Sequence, residues 1–201
     1  MKLYFSPRTR SARARWLLEE IGVPYELVRL DLMKQENRTP EYLAINPLGE
    51  VPTLIDGDVT LFESSAICFY LADRFPEKQL APPPNSPERG RYYQWVAFAE
   101  GALESVVLEF RKHSMLPEAQ KAAAQEALAP QRARLKVVLD VVDTALGDRE
   151  FLVGEHFTAA DAVMASILHL AHTLNLLDGH PRVFDYVRRH TLRPAARKAV
   201  A

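Results

Sequence analysis

Residues 49–75, GEVPTLIDGDVTLFESSAICFYLADRF, constrain the fold more than any other stretch of this chain. Val51-Pro52 stands directly ahead of a β-rich run, so a residue without a main-chain N–H opens a strand. Asp56-Gly57-Asp58 then separates PTLID from VTLF with the turn chemistry of a β-hairpin. Glu63-Ser64 follows, and the apolar run after it reads as a buried helix over 64–75. A carboxylate at the mouth of a buried helix, beside a strand that begins with proline, calls for a partner.

The chain upstream shares this mixed character. KLYF (2–5) reads as a strand, SARARWLLEEIG (11–22) as a helix stopped by Gly22, and YELVRLDL (25–32) as a second strand. TPEYLAINP (39–47) reads as a short helix with Thr39 as N-cap and Pro40 at its first position. This order predicts two strands in a parallel unit and two in a hairpin. Residues 76–90 carry five prolines and little apolar content, the composition of a linker. Everything beyond reads as helix. Tyr92, Val96, Ala99, Leu103, Val106 and Phe110 recur at spacings of three and four, as do Leu135, Leu139, Val142 and Leu146. Thr158 and Asp161 have capping-box spacing ahead of an apolar run. The expected organisation is an α/β domain over 1–76, a linker over 77–87 and an all-helical domain over 88–201.

Composition excludes several classes. The formal net charge of −1 offers no global attraction to nucleic acid or an anionic membrane. One cysteine, Cys68, permits neither an intramolecular disulfide nor a Cys-x-x-Cys pair, and it reads as a packing residue within the 64–75 helix. His169 and His172 share a helical face without a neighbouring carboxylate, so no metal site is expected. The N-terminus lacks a secretory pattern and no run reaches membrane-spanning length, which points to a cytoplasmic protein.

The opening segment has a chemical reading. A trans Val51–Pro52 bond on an edge strand is the ordinary outcome, but a cis bond costs little more. In the cis form the N–H and C=O of Val51 turn away from the sheet and can pair with a peptide-like ligand. At the start of the next helix, unpaired N–H groups and the dipole favour an anion. Ser64 reads as the N-cap of that helix and also as a donor to a ligand carboxylate. Glu63 then accepts from an ammonium on the same ligand. A zwitterionic amino-acid end joined to a peptide-like middle describes glutathione.

NPLGEVPTLIDGDVTLFESSAICFYLADRFPE resembles the glutathione-binding segment of the glutathione transferases, and QWVAFAEG and FLVGEHFTAADAVMASIL resemble their helical domain. The resemblance spans essentially the whole chain. It implies a thioredoxin-like N-terminal domain, a helical-bundle C-terminal domain, a homodimer, and glutathione as co-substrate without a metal. By that likeness Val51, after which Pro52 is cis, holds the cysteinyl backbone, and Glu63 and Ser64 hold the γ-glutamyl end. The implied activity is addition of glutathione to a small hydrophobic electrophile in detoxification, with glutathione-dependent peroxide or disulfide reduction as a variant. Phe110 and His113 fall where relatives line the electrophile pocket. Glu50 stands where relatives often carry Lys, Gln or His near the glycyl carboxylate.

The activating group is left open by the sequence. In the family it is a tyrosine near the end of the first strand, or a serine, threonine or cysteine in the turn that follows. Here the turn is SPRTRSARAR. The serine or threonine position falls on Arg8 or Thr9, and the cysteine position on Arg10. Thr9 and Tyr4 are the leading hydroxyls and Ser11 the next, although Ser11 also reads as a helix cap and Ser6 as a turn residue. Arg8, Arg10, Arg13 and Arg15 read as a solvated face, from which Arg10 could stabilise a thiolate. These arginines also favour a rival, a non-catalytic binding or interaction protein on the same scaffold.

Overall fold

The computed structural model describes residues 1–201 except for the side chain at position 123. The chain divides into two compact units, Met1–Ala81 with Leu192–Ala201, and Pro82–Thr191.

The first unit is built on a four-stranded sheet of β1 (Lys2–Phe5), β2 (Glu26–Arg29), β3 (Thr53–Asp56) and β4 (Val59–Phe62), in the order β2-β1-β3-β4. β1 and β2 run parallel, with Lys2 opposite Glu26, while β3 lies antiparallel to both β1 and β4. The crossover from β1 to β2 is helix α1 (Ser11–Ile21), as a parallel pair requires. Gly22 ends α1 at φ 77° and returns its N–H to the Leu18 carbonyl. Helix α2 (Pro40–Ile45) begins as its sequence predicts, with the Thr39 hydroxyl accepting from the Tyr42 N–H and Pro40 in the first turn. Helix α3 (Ser64–Arg74) packs against α1. Leu3 and Phe5 of β1, Leu17 and Leu18 of α1, Leu54 of β3 and Ile67 of α3 are all buried in this core. Cys68 is buried with them.

The second unit is helical: α4 (Pro87–Phe98), α5 (Ser105–Ser114), α6 (Glu118–Gln125), α7 (Ala129–Leu146), α8 (Ala159–Thr173) and α9 (Pro181–Thr191). Between α4 and α5 the backbone widens into a π-helical stretch, Ala99–Glu104, within what the apolar spacing alone reads as one continuous helix. Asp161 is completely buried at the head of α8, where the capping box forms. Its carboxyl accepts from the N–H groups of Leu152 and Thr158 and from the hydroxyls of Thr158 and Tyr186. Four donors on one buried carboxyl tie the 152–158 loop and α9 to α8.

Two local expectations are corrected. Arg13 and Arg15, read as part of a solvated face, are buried at 4% and 9% exposure, whereas Arg8 and Arg10 are exposed. The guanidinium of Arg15 lies over the Phe5 ring, 4.8 Å from its centroid, so an aromatic face and not water receives the charge. The last ten residues, expected in the helical domain, group with the first unit. There the terminal helix α10 (Pro194–Val200) packs on α1. Arg193 forms a fork onto the Glu20 carboxylate at 2.6 and 2.9 Å, and Lys198 pairs with Glu19 at 2.6 Å. An acidic end of α1 meets a basic tail.

Candidate functional site

A shallow groove on the first unit is lined mainly by residues between Asn46 and Ser64. Asn46, Leu48, Glu50, Val51 and Pro52 form one wall, and Phe62, Glu63 and Ser64 form another. Arg10 reaches it from the turn before α1.

The first wall is held from beneath. Asn46 is 1% exposed, and its amide donates to the Glu50 carbonyl at 2.7 Å and to the Thr53 hydroxyl at 3.1 Å. Its amide oxygen accepts from the Leu48 N–H. The Tyr42 hydroxyl donates to the same Glu50 carbonyl and shares a 2.9 Å contact with Thr53. Burial pushes the Tyr42 hydroxyl above its ordinary range, which keeps it a donor. Gly49, at φ 61°, leaves room that a Cβ would take from Arg38 Nη1 and the Asn37 carbonyl, at 2.6 and 2.8 Å. The Val51–Pro52 bond is cis. Val51 stands two residues ahead of Thr53, where pairing between β3 and β1 begins.

The second wall is the junction of β4 and α3. Ser64, expected as N-cap, is instead the first helical residue, and Glu63 occupies the cap without a side-chain hydrogen bond. Glu63 has φ 71° and ψ 115°, backbone space that a residue with a Cβ rarely enters. Such local cost persists where neighbouring structure imposes it, and it clusters at binding sites. Glu63 is exposed, and Ser64 is 3% exposed with its Oγ 3.4 Å from Nη1 of Arg13.

The candidate activating groups separate clearly. Ser11 is fully buried; it is the first residue of α1 and not its cap. Its hydroxyl donates to the Ser6 carbonyl at 2.8 Å and accepts from the Ser6 N–H at 3.1 Å. Thr9 is half-buried, 2.7 Å from the same carbonyl and 2.6 Å from the Ser11 hydroxyl. Two hydroxyl protons make at most two of these three contacts at once, and if the Thr9 proton turns away, Ser11 still donates to the Ser6 carbonyl. Tyr4 is half-buried, its ring 5.3 Å from that of Tyr42. Arg10, exposed, is the member of this set that lines the groove.

In the helical unit Phe110 is 5% exposed, with the Arg132 guanidinium 5.5 Å from its ring centroid. His113 is half-buried and its Nε2 meets the Lys121 carbonyl at 3.1 Å. Sequence reasoning missed Asn46 and Arg13. The Asn-Pro pair that opens the wall marked Asn46 only as part of a resemblance, and Arg13 lay hidden in a run of like charges. Among the described residues no group of three or more His, Cys, Asp or Glu side chains is placed to hold a metal, and no helix is long and apolar enough to cross a membrane.

Known proteins share this architecture. Residues 1–73 match the family model of the glutathione S-transferase N-terminal domain, and residues 125–189 that of the C-terminal domain. Glutathione S-transferase GstA of Escherichia coli O157:H7 is 33% identical, covering 100% of this chain and 98% of its own. Glutathione S-transferase F14 of Arabidopsis thaliana is 31% identical over 100% of this chain and 82% of its own. Among solved structures, BphK, a bacterial glutathione transferase in a ternary complex, superposes with a TM-score of 0.83 at 32% identity, over 100% of this chain and 98% of that one. A sphingomonad glutathione S-transferase complexed with glutathione superposes at 0.83 with 28% identity, over 100% of this chain and 97% of that one. A thioredoxin-like sheet unit, a helical unit and this end-to-end similarity together place the chain in the glutathione transferase family.

Proposed function

We propose that the protein is a glutathione transferase that binds glutathione in the groove, holds it as the thiolate and adds it to a small hydrophobic electrophile. The observation that carries this reading is the groove itself. A cis Val51–Pro52 step and the Glu63-Ser64 helix mouth line one cavity. Val51 pairs its main chain with the cysteinyl residue of the ligand, Glu63 accepts from the γ-glutamyl ammonium, and Ser64 with the start of α3 receives the γ-glutamyl carboxylate. Free thiols titrate near about 8.5, so the site must favour the anion. Arg10 supplies positive charge at the groove, and Thr9 is the hydroxyl best able to turn toward sulfur, since Ser11 is fully enclosed. The reaction then needs proximity and thiolate stabilisation from the protein, with the carbon–sulfur bond formed by the ligand's own sulfur. Peroxide or disulfide reduction through a second glutathione uses the same thiolate.

We further propose a cytoplasmic homodimer, in which a second copy covers Leu48 and Phe62, exposed apolar side chains on the groove walls. Light scattering on a size-exclusion column tests this, and a monomer at micromolar concentration refutes it.

The rival reading, a non-catalytic glutathione-binding or interaction module, has one observation in its favour: the Thr9 and Ser11 hydroxyls already have partners at the Ser6 carbonyl and in each other. An ultraviolet titration of the protein–glutathione complex separates the two. Thiolate absorbance emerging well below about 8.5 supports the enzyme. Binding without that shift supports the rival.

A further inference from the structure

Of the four arginines between residues 8 and 15, Arg13 meets a groove residue from inside the protein. It is 4% exposed, and Nη1 stands 3.4 Å, at the long end of the hydrogen-bonding range, from the Oγ of Ser64. A guanidinium has donors and no acceptor. In this contact the serine oxygen must therefore accept, and the serine's own proton is directed elsewhere. Ser64 is the first residue of α3, whose first intrahelical bond runs from the Ile67 N–H to the Glu63 carbonyl at 3.0 Å. The first N–H groups of an α-helix point out of its terminus, where the helix dipole favours an anion. A hydroxyl proton, a helix terminus and a buried cation converge at the Ser64 end of the groove.

The neighbouring arginines do different work. Arg15 lies over Phe5 and reaches the Ala199 carbonyl at 3.5 Å, a packing role. Arg10 is exposed on the groove itself. Arg13 is shielded from water, so its charge is screened far less than that of a surface residue.

We propose that Arg13 is a positioning residue for the glutathione site. It donates to Ser64 from behind, so that the serine proton is presented to an α-amino carboxylate in the groove. This rests on the glutathione reading above. It assigns the two charges of the γ-glutamyl head to separate devices, the ammonium to exposed Glu63 and the carboxylate to Ser64 backed by Arg13.

The test compares two ligands by calorimetry: glutathione, and 4-aminobutanoyl-cysteinylglycine, which keeps the amine and the rest of the peptide but lacks the γ-glutamyl α-carboxylate. Wild type, Arg13→Gln, Arg13→Lys, Ser64→Ala and the double variant Arg13→Lys/Ser64→Ala are measured. Arg13→Gln is expected to weaken glutathione about tenfold or more while leaving the analogue within about twofold. Arg13→Lys, which keeps the charge without the fork, falls between. In the Ser64→Ala background the Arg13→Lys change has a much smaller effect, because the residue acts through the serine. An equal loss for both ligands, or fully additive effects in the double variant, assigns Arg13 to packing and overturns the proposal. Should Arg13→Gln not fold, the two ligands on Arg13→Lys decide by the same criterion. Failure of the wild type to bind either ligand defeats the glutathione reading itself and is read separately.

Discussion

The side-chain amide of Asn46 donates to the main-chain carbonyl of Glu50 at 2.7 Å, and through that bond a buried residue at the end of α2 sets the course of the backbone into Val51. The same amide group holds Thr53 and Leu48, so three positions in and behind the groove wall share one anchor. Replacement by alanine leaves the Glu50 carbonyl with Tyr42 as its partner and strands the Thr53 contact. Asn46→Ala is expected to lose about 2–3 kcal/mol of stability. Urea denaturation measures the first effect and glutathione titration the second, a weaker affinity although the side chain is turned inward. Unchanged affinity in a destabilised variant would show that the wall keeps its course without this anchor.

Glu63 couples binding to backbone cost. Its φ of 71° costs a residue without a Cβ less, so Glu63→Gly eases the conformation while deleting the proposed ammonium acceptor. The expected result is opposite movement of two quantities: stability rises by about 1 kcal/mol and glutathione affinity falls about tenfold. A variant that is both less stable and a weaker binder contradicts the strain argument.

Glu50 is exposed and lines the groove next to Val51 in sequence. A carboxylate there opposes the glycyl carboxylate of a ligand that runs from Ser64 past Val51. Glu50→Gln should tighten glutathione about two- to fivefold in low salt and less in high salt, since an exposed charge is screened by ions. Glutathione monoethyl ester, with that ligand charge removed, should bind both proteins alike. Weaker binding by Glu50→Gln would instead make the acid a contributor to the site.

The acid limit of stability has a visible contributor in Glu19. Burial raises its carboxyl, but hydrogen bonds from Lys198 and Tyr25 outweigh that and leave it below the ordinary glutamate range. The folded value therefore lies under the unfolded one. The stabilisation is present above about pH 4.5 and is lost as pH falls through the folded value. Thermal midpoints of wild type and Glu19→Gln should differ at pH 7 and converge as the pH falls through the folded value, with the anchoring of α10 to α1 lost in parallel. A constant difference across that range excludes the ion pair as the cause. Tyr25, pushed up to about 12 by burial and its bond to Glu19, keeps its proton throughout.

Much of the fold was legible in sequence because it depends on local rules. Gly57 at φ 59° turns the hairpin, and Asp161 caps α8 from three residues downstream. Both are decided within a few residues of chain. Arg13 was not legible. Four arginines in eight residues look alike in one dimension, and the two that turn inward do so because Ser64 and Phe5 are brought to them by other elements. Asn46 had the same disguise, a polar residue at the end of a short helix whose partners become visible once β3 is in place.

The amino-acid order by itself determined the β-α-β and β-β-α succession, the helical second half and the Val51-Pro52 and Glu63-Ser64 pairs, because periodicity, turn residues and caps act over short distances. Tertiary structure alone decided which arginine stands behind Ser64, which hydroxyls are already engaged beside Thr9, and that residues 192–201 return to α1. Those outcomes depend on groups meeting across as many as 184 positions, between Arg15 and the Ala199 carbonyl, and contacts between such distant groups exist only after the core has brought them together.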